Sequence, residues 1–230
     1  SGSEATALAV RLARARTGKP AIIKFQGHFH GWLDHAVEGV DPPFEIPFSA
    51  GVPAEVRACT RVLPARDLDL VAATLARAND IAAIILEPTG AAGGSIPIRP
   101  GFLHGLRELA TRHGVLLIFD EVITGFRLAP GGAQERFNVR ADLVCLAKVV
   151  AGGLPGGAVC GTRDAFAAME FSADAKRNRT ERAVQYGTFN ANPLSAVAGI
   201  TMLTRVRDGK AARQAEEYAG RLRAALNALF

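Results

Sequence analysis

The sequence predicts an α/β protein, a three-layer α/β/α sandwich with a mostly parallel central sheet. Two observations predict it. Short continuous apolar runs alternate with stretches of helical periodicity along nearly the whole chain, the order that folds as a parallel sheet covered on both faces. Two of those runs also end abruptly in charge: Gly114 to Val122 carries Asp120 and Glu121 at its close, and Leu143 to Ala147 is followed at once by Lys148. In an open α/β sheet, ligands bind beyond the carboxyl ends of the strands, where these groups fall.

The elements follow in order. Ser1 to Arg16 reads as a helix, with Ser1-Gly2-Ser3 at its start, Leu8 and Leu12 one turn apart, and Thr17-Gly18 as its stop. Ala21 to Phe25 is a strand candidate, followed by a loop through Trp32. Residues 39–56, rich in Pro and Gly, read as an irregular loop. Leu68 to Ala78 is a helix and Ile81 to Leu86 a buried strand ending at Glu87-Pro88. Gly101 to His113 is an amphipathic helix carrying Leu103, Leu106 and Leu109. The segment from Ala151 to Gly157 is too glycine-rich for a regular element. Ala158 to Gly161 is a short strand, Arg163 to Glu170 a helix, and 172–182 a charged, mobile-looking stretch. Asn192 caps a helix that opens on Pro193, and a last helical pattern, running to Phe230, puts Tyr218, Leu222, Ala225, Leu226 and Leu229 on one face. No internal repeat, linker or second domain is visible.

Composition narrows the function. Of 230 residues, 27 are basic and 22 acidic, and the net charge of +5 is spread along the chain. No basic patch is interleaved with aromatics, which speaks against nucleic acid as a partner. Cys59, Cys145 and Cys160 are far apart and odd in number, suiting a reducing compartment without a disulfide framework. Neither a signal peptide nor a membrane-length apolar stretch is present, so a cytoplasmic protein without membrane contact is the default expectation. Dinucleotide and P-loop glycine motifs are missing, and Ser, His and Asp occur without a nucleophile elbow.

An acid and an amine at the tips of buried strands suit a ligand that needs both. Pyridoxal phosphate (PLP) is one: an amine forms its Schiff base and a carboxylate pairs with its pyridinium nitrogen. Gly2 and Ser3, at a helix N-terminus, expose backbone N–H groups that suit a phosphate, although an ordinary cap accounts for them equally. The pattern also carries a family resemblance. Ser-Gly-Ser-Glu-Ala (1–5), Phe-His-Gly (29–31), Glu-Pro (87–88), Phe-Asp-Glu-Val-Ile-Thr-Gly-Phe-Arg (119–127), Ala-Lys (147–148), Gly-Gly-Leu-Pro (152–155) and Gly-Thr-Phe-Asn-Ala-Asn-Pro (187–193) stand in the order found in class III PLP-dependent aminotransferases. The chain most resembles the branch containing glutamate-1-semialdehyde 2,1-aminomutase.

That resemblance implies the large domain of the fold-type I PLP enzymes over 1–230, with an N-terminal segment and a C-terminal small domain of the family missing. It implies that Lys148 holds the cofactor and carries a proton between the substrate and the cofactor. Flanked by Ala147 and Val149, Lys148 should be partly desolvated and so more readily neutral. Asp120 would pair with the pyridinium nitrogen, Phe29 would stack on one ring face and Val122, two residues along the Asp120 strand, would press on the other. Gly2 and Ser3 would bind the phosphate, and Thr188 would reach it from the neighbouring subunit of a homodimer. Arg127 is a candidate partner for a substrate carboxylate.

Where the aminomutases have Asn five residues past the Glu of Glu-Pro, this chain has Ala92; where many transaminases have Gln three past it, this chain has Gly90. Trp32-Leu33 and the Gly-Thr-Phe-Asn-Ala stretch also depart from the aminomutase pattern. The expectation is therefore an intermolecular aminotransferase, moving an amino group between an amino acid or amine and a keto acid or aldehyde, with the aminomutase as the alternative. A metallohydrolase using His28, His30, Asp34 and His35 is a distant rival, because imidazole with carboxylate suits zinc but the spacing misses the familiar one by two residues.

Overall fold

The computed structural model describes residues 1–90, 92, 96 and 98–229; Phe230, where the last helical pattern ends, lies outside the described residues. Helix α1 (Gly2–Thr17) starts at a Ser1 cap whose hydroxyl accepts from the Glu4 N–H, and stops where Gly18 turns left-handed. There follow β1 (Ala21–Phe25), α2 (Ala54–Arg57), β2 (Thr60–Leu63), α3 (Leu68–Arg77), β3 (Ile81–Leu86), α4 (Phe102–His113), β4 (Leu116–Asp120), α5 (Gly132–Phe137), β5 (Leu143–Ala147), β6 (Gly157–Gly161), α6 (Arg163–Phe166), α7 (Ala175–Thr180), α8 (Pro193–Val206) and α9 (Lys210–Asn227).

The strands form one sheet in the order β2-β1-β3-β4-β5-β6. All neighbours run parallel except β6, which returns antiparallel along β5. Successive side chains point to opposite faces, so each strand feeds two cores. Ile23, Phe25, Ile84, Leu86, Leu117 and Phe119 pack beneath α3 and α4 with Val71, Leu103 and Leu106. Ile22, Ala83, Ile85, Ile118 and Cys145 pack beneath α1. The face of α1 that meets the sheet carries Ala5, Ala9 and Ala13, small enough to bring the helix axis close to β5 and β6. Gly157 is needed there, since a Cβ on it would lie 2.4 Å from the Ser1 carbonyl oxygen.

Chain order reverses between β1 and β3, which makes their carboxyl ends a switch point. The loops leaving β1, β3, β4 and β5 therefore converge on one crevice. The predicted α/β/α architecture is the one observed. Several details differ. Edge strand β2 and the short helices α2 and α5 carry no apolar periodicity to announce them. The helix expected over Arg163 to Glu170 is α6 followed by a 3-10 turn at Ala167–Met169. The stretch 172–182 contains α7, started by Asp174 accepting from the N–H groups of Lys176 and Arg177. Among the described residues, no helix is long and apolar enough to cross a membrane.

Candidate active site

A cavity of about 370 Å³ opens at the carboxyl ends of β1, β3, β4 and β5. Six of the seven residues predicted to hold a cofactor line it: Gly2, Ser3, Phe29, Asp120, Val122 and Lys148. The N-terminus of α1 forms one wall, and the partial positive charge of a 16-residue helix is directed at that end. Gly31 seats its loop against this wall: with φ 99°, any Cβ there would strike Ser3.

Asp120 closes β4 and is 4 % exposed. One of its oxygens accepts from the Val122 N–H at 3.1 Å, and the other lies 2.7 Å from Nδ1 of His30. Burial pushes the Asp120 carboxyl up to about 7, against the Val122 N–H and the Lys148 charge, which draw it down. An acid so placed is costly to ionise unless a cation arrives beside it. Val122 is not a continuation of the strand, because β4 ends at Asp120; it sits in the following turn and still reaches the cavity beside Gly2, where an added Cβ would lie 3.1 Å from Val122 Cγ2.

Lys148 follows β5 directly, at φ 52°. That left-handed conformation is uncommon for a lysine, and backbone strain of this kind gathers at functional positions. The expectation that Lys148 is desolvated is corrected: its side chain is exposed, because the strand stops at Ala147 and the 3-10 turn Lys148–Ala151 lifts it to the cavity rim.

Two residues matter more than the sequence suggested. Glu87, buried at the end of β3, accepts from the Phe29 N–H at 2.7 Å and the Ala92 N–H at 3.0 Å. It thereby holds the aromatic at the cavity and ties it to the loop after β3; burial raises its pKa. His30 contacts Asp120, and its place between Phe29 and Gly31 was the one available signal. The metallohydrolase ligand set is not assembled. His28 Nδ1 accepts from the Glu87 N–H at 3.0 Å, His30 faces Asp120, and Asp34 is exposed. Among the described residues, no group of three His, Cys, Asp or Glu is arranged to hold a metal. Thr188 is exposed in the loop before α8, away from the cavity. Arg127 lies outside the cavity lining and donates to the Ile123 carbonyl at 2.7 Å.

The family model for class III aminotransferases matches residues 1–230. The chain belongs to the class III aminotransferase family. Among its class III relatives, the glutamate-1-semialdehyde 2,1-aminomutase of Syntrophobacter fumaroxidans is 48% identical over 99% of this chain and 52% of its own length. A β-phenylalanine aminotransferase from Variovorax paradoxus, known as a crystal structure, is 37% identical, with a TM-score of 0.80 over 100% of this chain and 49% of that one. A transaminase solved with PLP bound is 33% identical, with a TM-score of 0.79 over 89% of this chain and 47% of that one. The chain spans about half the length of the curated relatives it matches.

Proposed function

We propose that this chain is the PLP-binding large domain of an amino-group-transferring enzyme, with an N-terminal segment and a C-terminal small domain supplied by the rest of the protein. The observation that carries the proposal is the convergence of a buried carboxylate, Asp120, and an amine, Lys148, on one cavity walled by a helix N-terminus. The cavity fits the cofactor in its chemistry. The carboxyl of Asp120 is buried and raised, an amine stands at the rim, and Gly2 and Ser3, in the first turn of α1, line the same cavity.

When bound, PLP supplies an aldehyde that exchanges amines and a ring that accepts electrons. The residues of this chain do the rest. Lys148 would hold the cofactor through its amine and, as a free base, would move the proton at the substrate's Cα. Asp120 would keep a proton on the pyridine nitrogen, Phe29 and Val122 would confine the ring, and Gly2 and Ser3 would hold the phosphate. Thr188 reaches the phosphate of a neighbouring subunit in a homodimer working in the cytoplasm.

For the reaction itself, glutamate-1-semialdehyde 2,1-aminomutase activity is the reading best supported, because curated relatives of that name are 42% to 48% identical. Intermolecular transamination of an amino acid or amine with a keto acid or aldehyde is the second reading. It is favoured by Ala92, which stands where the aminomutases have Asn, and by the likeness of this whole chain to about half of the β-phenylalanine aminotransferase. Supplying the full-length enzyme with glutamate-1-semialdehyde and no keto acid separates them: 5-aminolevulinate formation without an added acceptor supports the aminomutase, and dependence on a keto acid or aldehyde supports the transaminase.

A further inference from the structure

A second cavity, of about 550 Å³, lies beyond the carboxyl ends of β1, β2 and β3 and against the start of α4. Phe25, Val40, Phe44, Ile96, Ile98 and Phe102 give it apolar walls. Among its described lining residues the one cation is Arg66, in the turn between β2 and α3. We propose that this cavity binds an apolar monocarboxylate, an aryl or branched-chain acid taken up as a separate molecule, with Arg66 as the partner of its carboxylate. The proposal goes beyond the cofactor site and does not depend on it.

The chemistry of the ligand follows from Arg66. Its Nε is buried and has no hydrogen-bond partner among the described residues. A buried donor left without an acceptor is destabilising, and the planar guanidinium fork matches both oxygens of a carboxylate. The acids nearest to hand do not answer it. Asp67 accepts from the Leu70 N–H at 2.9 Å as the cap of α3, and Asp41, which also lines the cavity, is exposed. Arg66 is moreover held at φ 77°, a left-handed conformation that Asn or Gly adopts at lower cost, so the backbone alone does not account for an arginine here. One cation within apolar walls suits one negative charge on a carbon skeleton; a phosphate dianion would lose its hydration without a second cation to replace it.

A hydrogen-bonded partition makes the occupant a separate molecule. Ala92 lines both cavities, but His28 and Glu87 stand between them. His28, on the side of the second cavity, accepts the Glu87 N–H at Nδ1, 3.0 Å away. Burial first, then His30 and Lys24, push the His28 pKa down to about 3, so the ring is neutral and carries its proton on Nε2. The Glu87 carboxylate, on the side of the first cavity, accepts from the Phe29 and Ala92 N–H groups. A ligand against Arg66 therefore rests on the far side of the wall that holds Phe29.

The test titrates full-length protein, loaded with PLP, with phenylacetate and isovalerate, and with phenylacetamide as the uncharged control, by calorimetry. Wild type is compared with Arg66→Asn, a change that suits the left-handed backbone and so should leave the fold intact; thermal unfolding checks this, and Arg66→Gly serves as a second variant. At least one of the two acids should bind wild type, and its affinity should fall roughly 10- to 100-fold in Arg66→Asn, the loss expected for a hydrogen bond between charged groups. Phenylacetamide should bind wild type no better than the acid binds the variant. The kcat and KM for the amino donor should be the same in wild type and Arg66→Asn. Three results overturn the proposal: neither acid binds wild type, the acid binds Arg66→Asn and Arg66→Gly undiminished, or the donor KM rises in Arg66→Asn, which would put the substrate itself in this cavity. Failure of the wild-type protein to bind PLP would instead count against the proposed function, and leaves the phenylacetate titration readable.

Discussion

At the scale of single residues, Asp120 would carry the chemistry that the rest of the proposed site serves. Asp120→Asn keeps the shape but removes the charge, so the full-length enzyme should retain cofactor while its rate of Cα proton removal falls roughly 100-fold or more, read as a deuterium-exchange rate. An unchanged exchange rate would dissociate Asp120 from the reaction. A second consequence is thermodynamic. The ordinary carboxyl value is 3.8, and burial raises that of Asp120 to about 7 in the cofactor-free fold. Between those values the folded chain keeps a proton that the unfolded chain has lost, so this group's contribution to stability falls as pH rises from about 4 to about 7. Asp120→Asn abolishes that titration, and urea unfolding of the cofactor-free protein should lose pH dependence over this range relative to wild type. Parallel curves would show that Asp120 is not the buried acid. The positions of Asp120 and Lys148 at strand ends were legible because each closes a continuous apolar run, but a charge there often only marks the return to solvent, and it was the surrounding motifs that singled the pair out. Glu87 and His30 were less so, because their roles depend on contacts between residues 58 and 90 positions apart in the chain.

At the scale of elements, close packing of α1 on the sheet places the helix end proposed to face the phosphate. Gly157→Ala drives a methyl group against the Ser1 carbonyl, and backbone must move to admit it. Overpacking of this kind costs about 1–3 kcal/mol, and by displacing the start of α1 it should also weaken PLP binding. Thermal unfolding and a cofactor titration check the two effects, and a variant with native stability and affinity would refute the close approach. Under α4, Leu106 is fully buried, and Leu106→Ala should cost about 2–5 kcal/mol through lost contacts and the cavity left behind. The long helices and the continuous apolar strands were readable because burial imposes period and composition on them. Strand β2 was not: it has four residues, lies at the sheet edge, and only Thr60 in it is buried. Helices α5 and α7, of six residues each, were also missed. Glu121 accepting from the Ala133 N–H and Asp174 accepting from Lys176 and Arg177 hold their first turns. A cap, whether from a carboxylate 12 residues away as in α5 or from the adjacent Asp174 as in α7, leaves no apolar periodicity to detect.

At the scale of the whole molecule, apolar side chains collect around Thr188 and along α8. Tyr186, Phe189, Leu194, Val197 and Ile200 are each more than 60 % exposed. A homodimer that brings Thr188 to a second subunit's phosphate would bury them, and Ile200→Glu in the full-length protein should shift sedimentation from dimer to monomer with loss of bound cofactor. A monomeric wild-type protein that binds PLP fully would remove Thr188 from the site. The apolar face of α9 formed with Tyr218, Leu222 and Leu226, but the helix stops at Asn227, short of Leu229, and all four side chains are exposed. Periodicity reveals which face a helix offers without revealing what it meets. The most direct measurement of the central proposal is borohydride reduction of the full-length protein with PLP, followed by peptide mass spectrometry. A pyridoxyl adduct on Lys148, lost in Lys148→Ala, is the expected result; an adduct that persists in that variant, or forms at another lysine, contradicts it.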